Sequence, residues 1–212
     1  MKFTRRLCLS FCAALFCFCL NASTSAQPFA NSNARASTLP PVSIISTLYS
    51  NDPAAHALCF TDGGEGATLQ KNGISNRCSH LDFDKYNSGA LTVGIEGGEL
   101  GKIIDLGTAD DLRKQYGYEE TVGNGNGFAS IEVQDGKVLI LKTLYKPVRQ
   151  ELTLANALFE KGASGASAVA KVGHIYLARL TDSHDKDFQI LVKLLVLSVR
   201  PGESVTLRWQ LL

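Results

Sequence analysis

Two cysteines and two histidines bracket one short segment of the 212-residue chain, His56-x-x-Cys59 before it and Cys78-x-His80 after it. Three chemistries use such a set. Joined as a disulfide, Cys59 and Cys78 would close a Gly-rich, polar loop that has little apolar material of its own to hold it. Closing a loop of that size stabilises by roughly 3 kcal/mol, because the unfolded chain loses freedom. Two thiolates and two imidazoles are instead a tetrahedral zinc set, His56, Cys59, Cys78 and His80, although the spacing matches no zinc-finger pattern. On a strand, Cys78 and His80 would share a face, as ligands must. A Cys78 thiolate with His80 as its base would be a nucleophile pair, yet folds normally assemble such pairs from distant positions. An oxidising compartment favours the disulfide.

His80, Asp82 and Asp84 alternate with Leu81 and Phe83. Period-two geometry sends Leu81 and Phe83 inward and makes His80, Asp82 and Asp84 a candidate surface acidic stripe. Such a stripe is either a solvated strand face or the acid–base set of a secreted hydrolase. Tyr86, Tyr116 and Tyr118 could stack on sugar rings or fill a core. Ser183-His184-Asp185-Lys186 spells S-x-x-K, but the S-D-N and K-T-G elements of the serine acyl-enzymes are missing. The carboxylates of residues 182–187 lack the spacing of a calcium loop, so this stretch reads as a polar turn. The glycines of 94–101 and 123–127 follow neither phosphate-binding order. Gly162-Ala163-Ser164-Gly165 departs from the G-x-S-x-G elbow at its last position. No catalytic signature is assembled, no cofactor is implied, and the expected metal is none beyond that zinc alternative.

The start of the chain reads as an address. Lys2, Arg5 and Arg6 precede an apolar run over residues 7–20, followed by small and polar residues. This is the pattern of a secretory signal peptide over residues 1–26, with cleavage expected after Ala26. The apolar run falls short of the about 20 residues that span a bilayer. Cys8, Cys12, Cys17 and Cys19 lie in this leader and read as small hydrophobes. Without residues 1–26 the formal net charge of +1 becomes −2 and six cysteines become two. That near-neutral balance gives no reason to expect nucleic acid as partner. The Asn-x-Ser/Thr pattern occurs only at Asn21, which agrees weakly with a bacterial source.

The elements that would position the cysteines and histidines are mostly strands. Residues 27–41, rich in Ser, Asn, Ala and Pro, read as a flexible N-terminal arm, and residues 42–212 as a single β-rich globular domain. Fourteen glycines fall in residues 63–127 and five in 128–212, so short strands and tight turns precede longer strands. Strand-like pieces occupy 42–49, 91–95 and 102–106. Thr108, Asp110, Asp111 and Gly117 mark the start and stop of one helix. A second helix is expected over 153–161 with Leu154, Ala157 and Leu158 on one face. Residues 131–134 and 137–145 read as a hairpin through Asp135-Gly136. Residues 174–182, 188–200 and 204–211 read as a C-terminal three-stranded antiparallel meander. Its middle strand is apolar on both faces, with Leu191, Leu195 and Leu197 on one and Lys193 the exception, so both faces should be covered. In the last strand Val205, Leu207, Trp209 and Leu211 face inward.

The expected fold is therefore mainly β, an antiparallel sandwich or barrel-like sheet with one or two short helices. The expected function is that of an exported, non-catalytic binding or structural module, secreted or periplasmic and stapled by one disulfide. Its partner would be a protein or an envelope or extracellular polymer. The mature chain has no transmembrane segment, and the loop between Cys59 and Cys78 is the first candidate for contact. The alternatives are the secreted hydrolase and the zinc-stabilised domain.

Overall fold

A computed structural model describes residues 43–52, 55–61, 78–84, 88–94, 99–118, 128–143, 147–160 and 165–212. The leader with its cleavage position, the arm, the loop 62–77, Tyr86 and the glycines at 123–127 lie outside the described residues. In chain order the strands are β1 (Ile44–Tyr49), β2 (Ala57–Leu58), β3 (Leu81–Phe83), β4 (Ala90–Val93), β5 (Glu99–Thr108), β6 (Ile131–Gln134), β7 (Lys137–Leu141), β8 (Arg149–Glu151), β9 (Ser167–Val169), β10 (His174–Asp182), β11 (Gln189–Arg200) and β12 (Ser204–Leu211). One α-helix, α1 (Ala109–Tyr116), follows β5. All these elements belong to one compact unit, Leu39–Leu212. No helix among the described residues is long and apolar enough to cross a membrane.

The strands pair antiparallel into three sheets. A five-stranded sheet in the order β1-β12-β11-β10-β5 lies between two other layers. On one face it packs against the sheet β2-β3-β4-β9, and Phe60, Leu81, Leu91, Tyr176, Leu194 and Trp209 fill the gap. On the other face lie α1, the sheet β6-β7-β8 and a 3-10 turn, Thr153–Phe159, meeting Leu177, Leu191 and Leu195. This is the antiparallel sandwich of the expected fold, with a third layer. Residues 190–196 of β11 are buried throughout, because both faces of the middle strand are covered.

Local chemistry places the elements. Thr108 accepts from the Asp111 N–H at 3.2 Å while Asp111 accepts from the Thr108 N–H at 2.9 Å, a reciprocal cap that starts α1. Gly117, at φ 65°, stops it. Asp135 and Gly136 supply the two positive φ angles, 52° and 72°, of the β6–β7 turn.

Three expectations are corrected. The second helix is a 3-10 turn, and its three-residue period buries Ala155 and Leu158 while Leu154 is exposed. Leu197 does not continue the Leu191–Leu195 face. A bulge between Val196 and Ser198 leaves it outside the register and exposed, and shifts the phase so that Val199 packs on the core. In β12, Val205, Leu207 and Trp209 point inward as alternation requires, but the terminal Leu211 is exposed.

Lys193 is the one charged side chain in the covered part of β11, 2% exposed. Its ammonium donates to the Ile131 carbonyl at 2.8 Å and lies 4.8 Å from the Phe128 ring centre. Burial, reinforced by the Arg208 cation and opposed by Glu132, pushes its pKa down to about 8.

Candidate functional site

The residues singled out in the sequence converge, but they turn inward. Cys59 and Cys78 are joined as a disulfide, with Cα atoms 4.7 Å apart. Thr61 Oγ1 lies 3.1 Å from the Cys59 sulfur and 3.3 Å from the Cys78 sulfur. Next to Cys59, the Phe60 N–H donates to His80 Nδ1 at 3.0 Å. A nitrogen that accepts carries no proton, so the neutral ring holds its proton on Nε2. That nitrogen faces Glu99 Oε1 at 3.5 Å. Phe60 stacks beside the His80 ring and tilts against Trp209, so the imidazole is walled by aromatic surface. The His80 backbone also donates to Leu58 O at 3.0 Å and accepts from Gly94 N at 3.2 Å. His80 thus ties the disulfide-bonded segment to β4 and to Glu99 at the start of β5.

A second histidine–carboxylate contact runs alongside. His56 Nδ1 lies 2.7 Å from the Asp52 carbonyl, which can only accept, so Nδ1 carries a proton. Its Nε2 then faces Asp82 Oδ2 at 3.3 Å. Asp84 accepts from Ser50 Oγ at 2.9 Å and from the Gly89 N–H at 2.6 Å. Asp84 sits at φ 60°, so the chain turns away there instead of extending the strand.

These contacts correct three readings. Because the two sulfurs are bonded to each other, they are not thiolate ligands, and the zinc set of His56, Cys59, Cys78 and His80 does not form. The Cys78–His80 nucleophile pair fails for the same reason. His80, Asp82 and Asp84 are 2%, 1% and 6% exposed, so they are not a surface stripe. Alternation failed as a guide because β3 is covered on both faces, not one. A carboxylate so enclosed cannot reach a polymer substrate, which removes the basis of the hydrolase alternative. Tyr116 and Tyr118 are buried too, and Tyr118 donates to the Ala109 carbonyl at 2.6 Å. At the β10–β11 turn, Asp182 accepts from the His184 and Asp185 N–H groups, as a polar turn does.

An accessible, partly apolar cavity lies elsewhere. A cavity of about 450 Å³ opens between the N-terminal half of β5, the end of β10 and the 3-10 turn, Thr153–Phe159. Its size falls within the range of small-molecule sites. Lys102 and Arg179 line it and are directly opposite each other in the β5–β10 register. Like charges so placed destabilise a sheet unless something offsets them. Part of the offset is the end of the turn. Lys102 Nζ donates to the carbonyls of Ala157, at 3.3 Å, and Glu160. Arg179 donates to the Leu158 carbonyl at 3.4 Å, and its Nε and second terminal nitrogen share Gln189 Oε1 at 3.2 and 2.9 Å. The guanidinium lies 5.1 Å from the Phe159 ring centre.

Two glycines set the floor. A Cβ on Gly101 would lie 2.2 Å from the Val93 carbonyl oxygen, and one on Gly94 would lie 2.2 Å from Gly101 N. Only residues without a side chain let the end of β4 approach β5 this closely. From the sequence, the glycines of 94–101 read as turns and bulges, and Lys102 falls in a strand-like piece. A charge inside an apolar strand was the available signal. Its cross-strand partner was not, because register is set by the whole sheet.

Compared with known protein families, curated proteins and solved structures, the chain matches none.

Proposed function

We propose that this protein is an exported, non-catalytic binding module, stapled by the Cys59–Cys78 disulfide, and that it binds its partner at the β5–turn groove. The observation that carries this reading is the division of the polar side chains. His80, Asp82 and Glu99 are enclosed and His56 is half-buried against Asp82, while an open, partly apolar concavity is lined by Lys102 and Arg179. The leader-like residues 1–26 support export to the periplasm or beyond, where a disulfide persists.

The test is expression of the full chain with its own N-terminus, followed by fractionation and intact-mass measurement with a thiol assay. The expected product lies outside the cytoplasm, begins at Gln27 and has no reactive thiol. A product retained in the cytoplasm with residues 1–26 attached and both thiols free would refute the reading.

A further inference from the structure

We infer that the groove takes a small monoanion with an apolar body, a carboxylate such as a short fatty acid, its head between Lys102 and Arg179 and its body on Leu100 and Phe159. This rests on the binding reading above and names the ligand class of the same site.

Lys102 and Arg179 make no ion pair with any carboxylate among the described residues. Their partners are carbonyl and amide oxygens, which offer dipoles but leave the net charge of the pair in place. A lysine carries three N–H donors and an arginine five. Those hydrogen bonds use five of the donors, so three remain for a ligand. A carboxylate suits an arginine fork, which donates to two oxygens at once.

Glu160 narrows the choice. It also lines the cavity and forms no ion pair with Lys102 or Arg179. Two cations and one carboxylate leave a single positive charge to be matched, which suits a monoanion over a doubly charged phosphate.

The apolar walls supply the other half. Leu100 is 59% exposed and Phe159 39%, and buried Leu158 sits behind them. A cation pair bordered by exposed apolar side chains suits an amphiphile better than an inorganic anion, because burying those side chains adds favourable transfer energy.

The turn's last carbonyls offer a purely structural account of both cations, as caps. The two accounts differ in what a ligand should do. The experiment is a backbone-amide chemical-shift titration of the purified protein with octanoate, octyltrimethylammonium and octanol in parallel. Octanoate should shift the amides of 100–102 and 179–181 to saturation, and octyltrimethylammonium should not. Lys102→Met and Arg179→Met should each weaken octanoate by about tenfold, the loss of one charge-assisted hydrogen bond. Because Lys102→Met also uncaps the turn, Lys102→Arg and Leu100→Gln complete the set. The first should hold octanoate near the wild-type affinity, and the second should weaken it with both cations in place. If octanol binds the groove as well as octanoate does, the anion assignment is overturned while the groove remains a binding site. If none of the three ligands shifts the groove amides, the inference and the groove's role fall together.

Discussion

Around Cys59–Cys78, two imidazoles each face one buried carboxylate; His80 is walled by Phe60, which tilts against Trp209, and His56 is half-buried. Between β5 and the Thr153–Phe159 turn, two cations face each other across a strand pair with no carboxylate among the described residues bonded to either and a cavity in front of them. The first region has the residue types of an active site and the accessibility of a core. The second has unremarkable residue types and the accessibility of a site. Residue identity alone therefore misassigns both regions. What separates them is accessibility: His80, Asp82 and Glu99 are enclosed, whereas Lys102 and Arg179 line an open cavity.

The largest effect expected in breaking this contrast is at His80. Substituting His80→Leu removes the acceptor for the Phe60 N–H and the N–H that faces Glu99. Breaking a buried pair on one side costs about 3–5 kcal/mol, which urea unfolding should report as a lowered midpoint. A change below about 1 kcal/mol would mean that the pair is not structural.

Next is the disulfide. Cys59→Ser with Cys78→Ser should lower stability by roughly 3 kcal/mol, the loop-closure contribution. Reduction of the wild-type protein should reproduce that loss in the same unfolding measurement.

Lys193 sharpens the comparison through pH. Its folded pKa, about 8, lies below the 10.5 of an ordinary lysine, because burial disfavours the ammonium. Below about pH 8 the group is charged in both folded and unfolded chains, and its burial penalty is fully present. Between about 8 and 10.5 the unfolded chain binds the extra proton, so stability rises with pH. The wild-type protein should therefore gain stability relative to Lys193→Met over that window, measured as a difference in Tm at each pH. A difference independent of pH from 7 to about 11 would contradict the burial account.

The smallest expected effect is at the groove rim. Leu100→Gln should change stability by less than about 0.5 kcal/mol, as for an exposed residue away from packed features. Thermal unfolding checks this. A loss of several kcal/mol would make the rim part of the core.

Much of the fold was legible in the sequence because local signals agreed with the tertiary outcome. The Thr108 cap, the Gly117 stop, the Asp135-Gly136 turn and the doubly apolar β11 all appear where the residues indicate. The failures have physical causes. The bulge at Leu197 is a one-residue slip with no local marker. The 3-10 turn places a different set of side chains inward than an α-helix would, because its period is three. The stripe at His80, Asp82 and Asp84 alternates like a half-wet strand, but its side chains are buried on both faces. The groove was not legible, because Lys102 and Arg179 become neighbours only through a register linking positions 77 residues apart.

The most direct test of this division of labour is the octanoate dissociation constant of Asp82→Asn beside that of Leu100→Gln, both at a temperature where each protein is folded. Asp82 belongs to the enclosed histidine–carboxylate region, and Leu100 to the groove. The account predicts wild-type affinity in Asp82→Asn and a loss of about fivefold or more in Leu100→Gln, as expected for losing part of an apolar wall. Loss of binding in Asp82→Asn with wild-type binding in Leu100→Gln would contradict it.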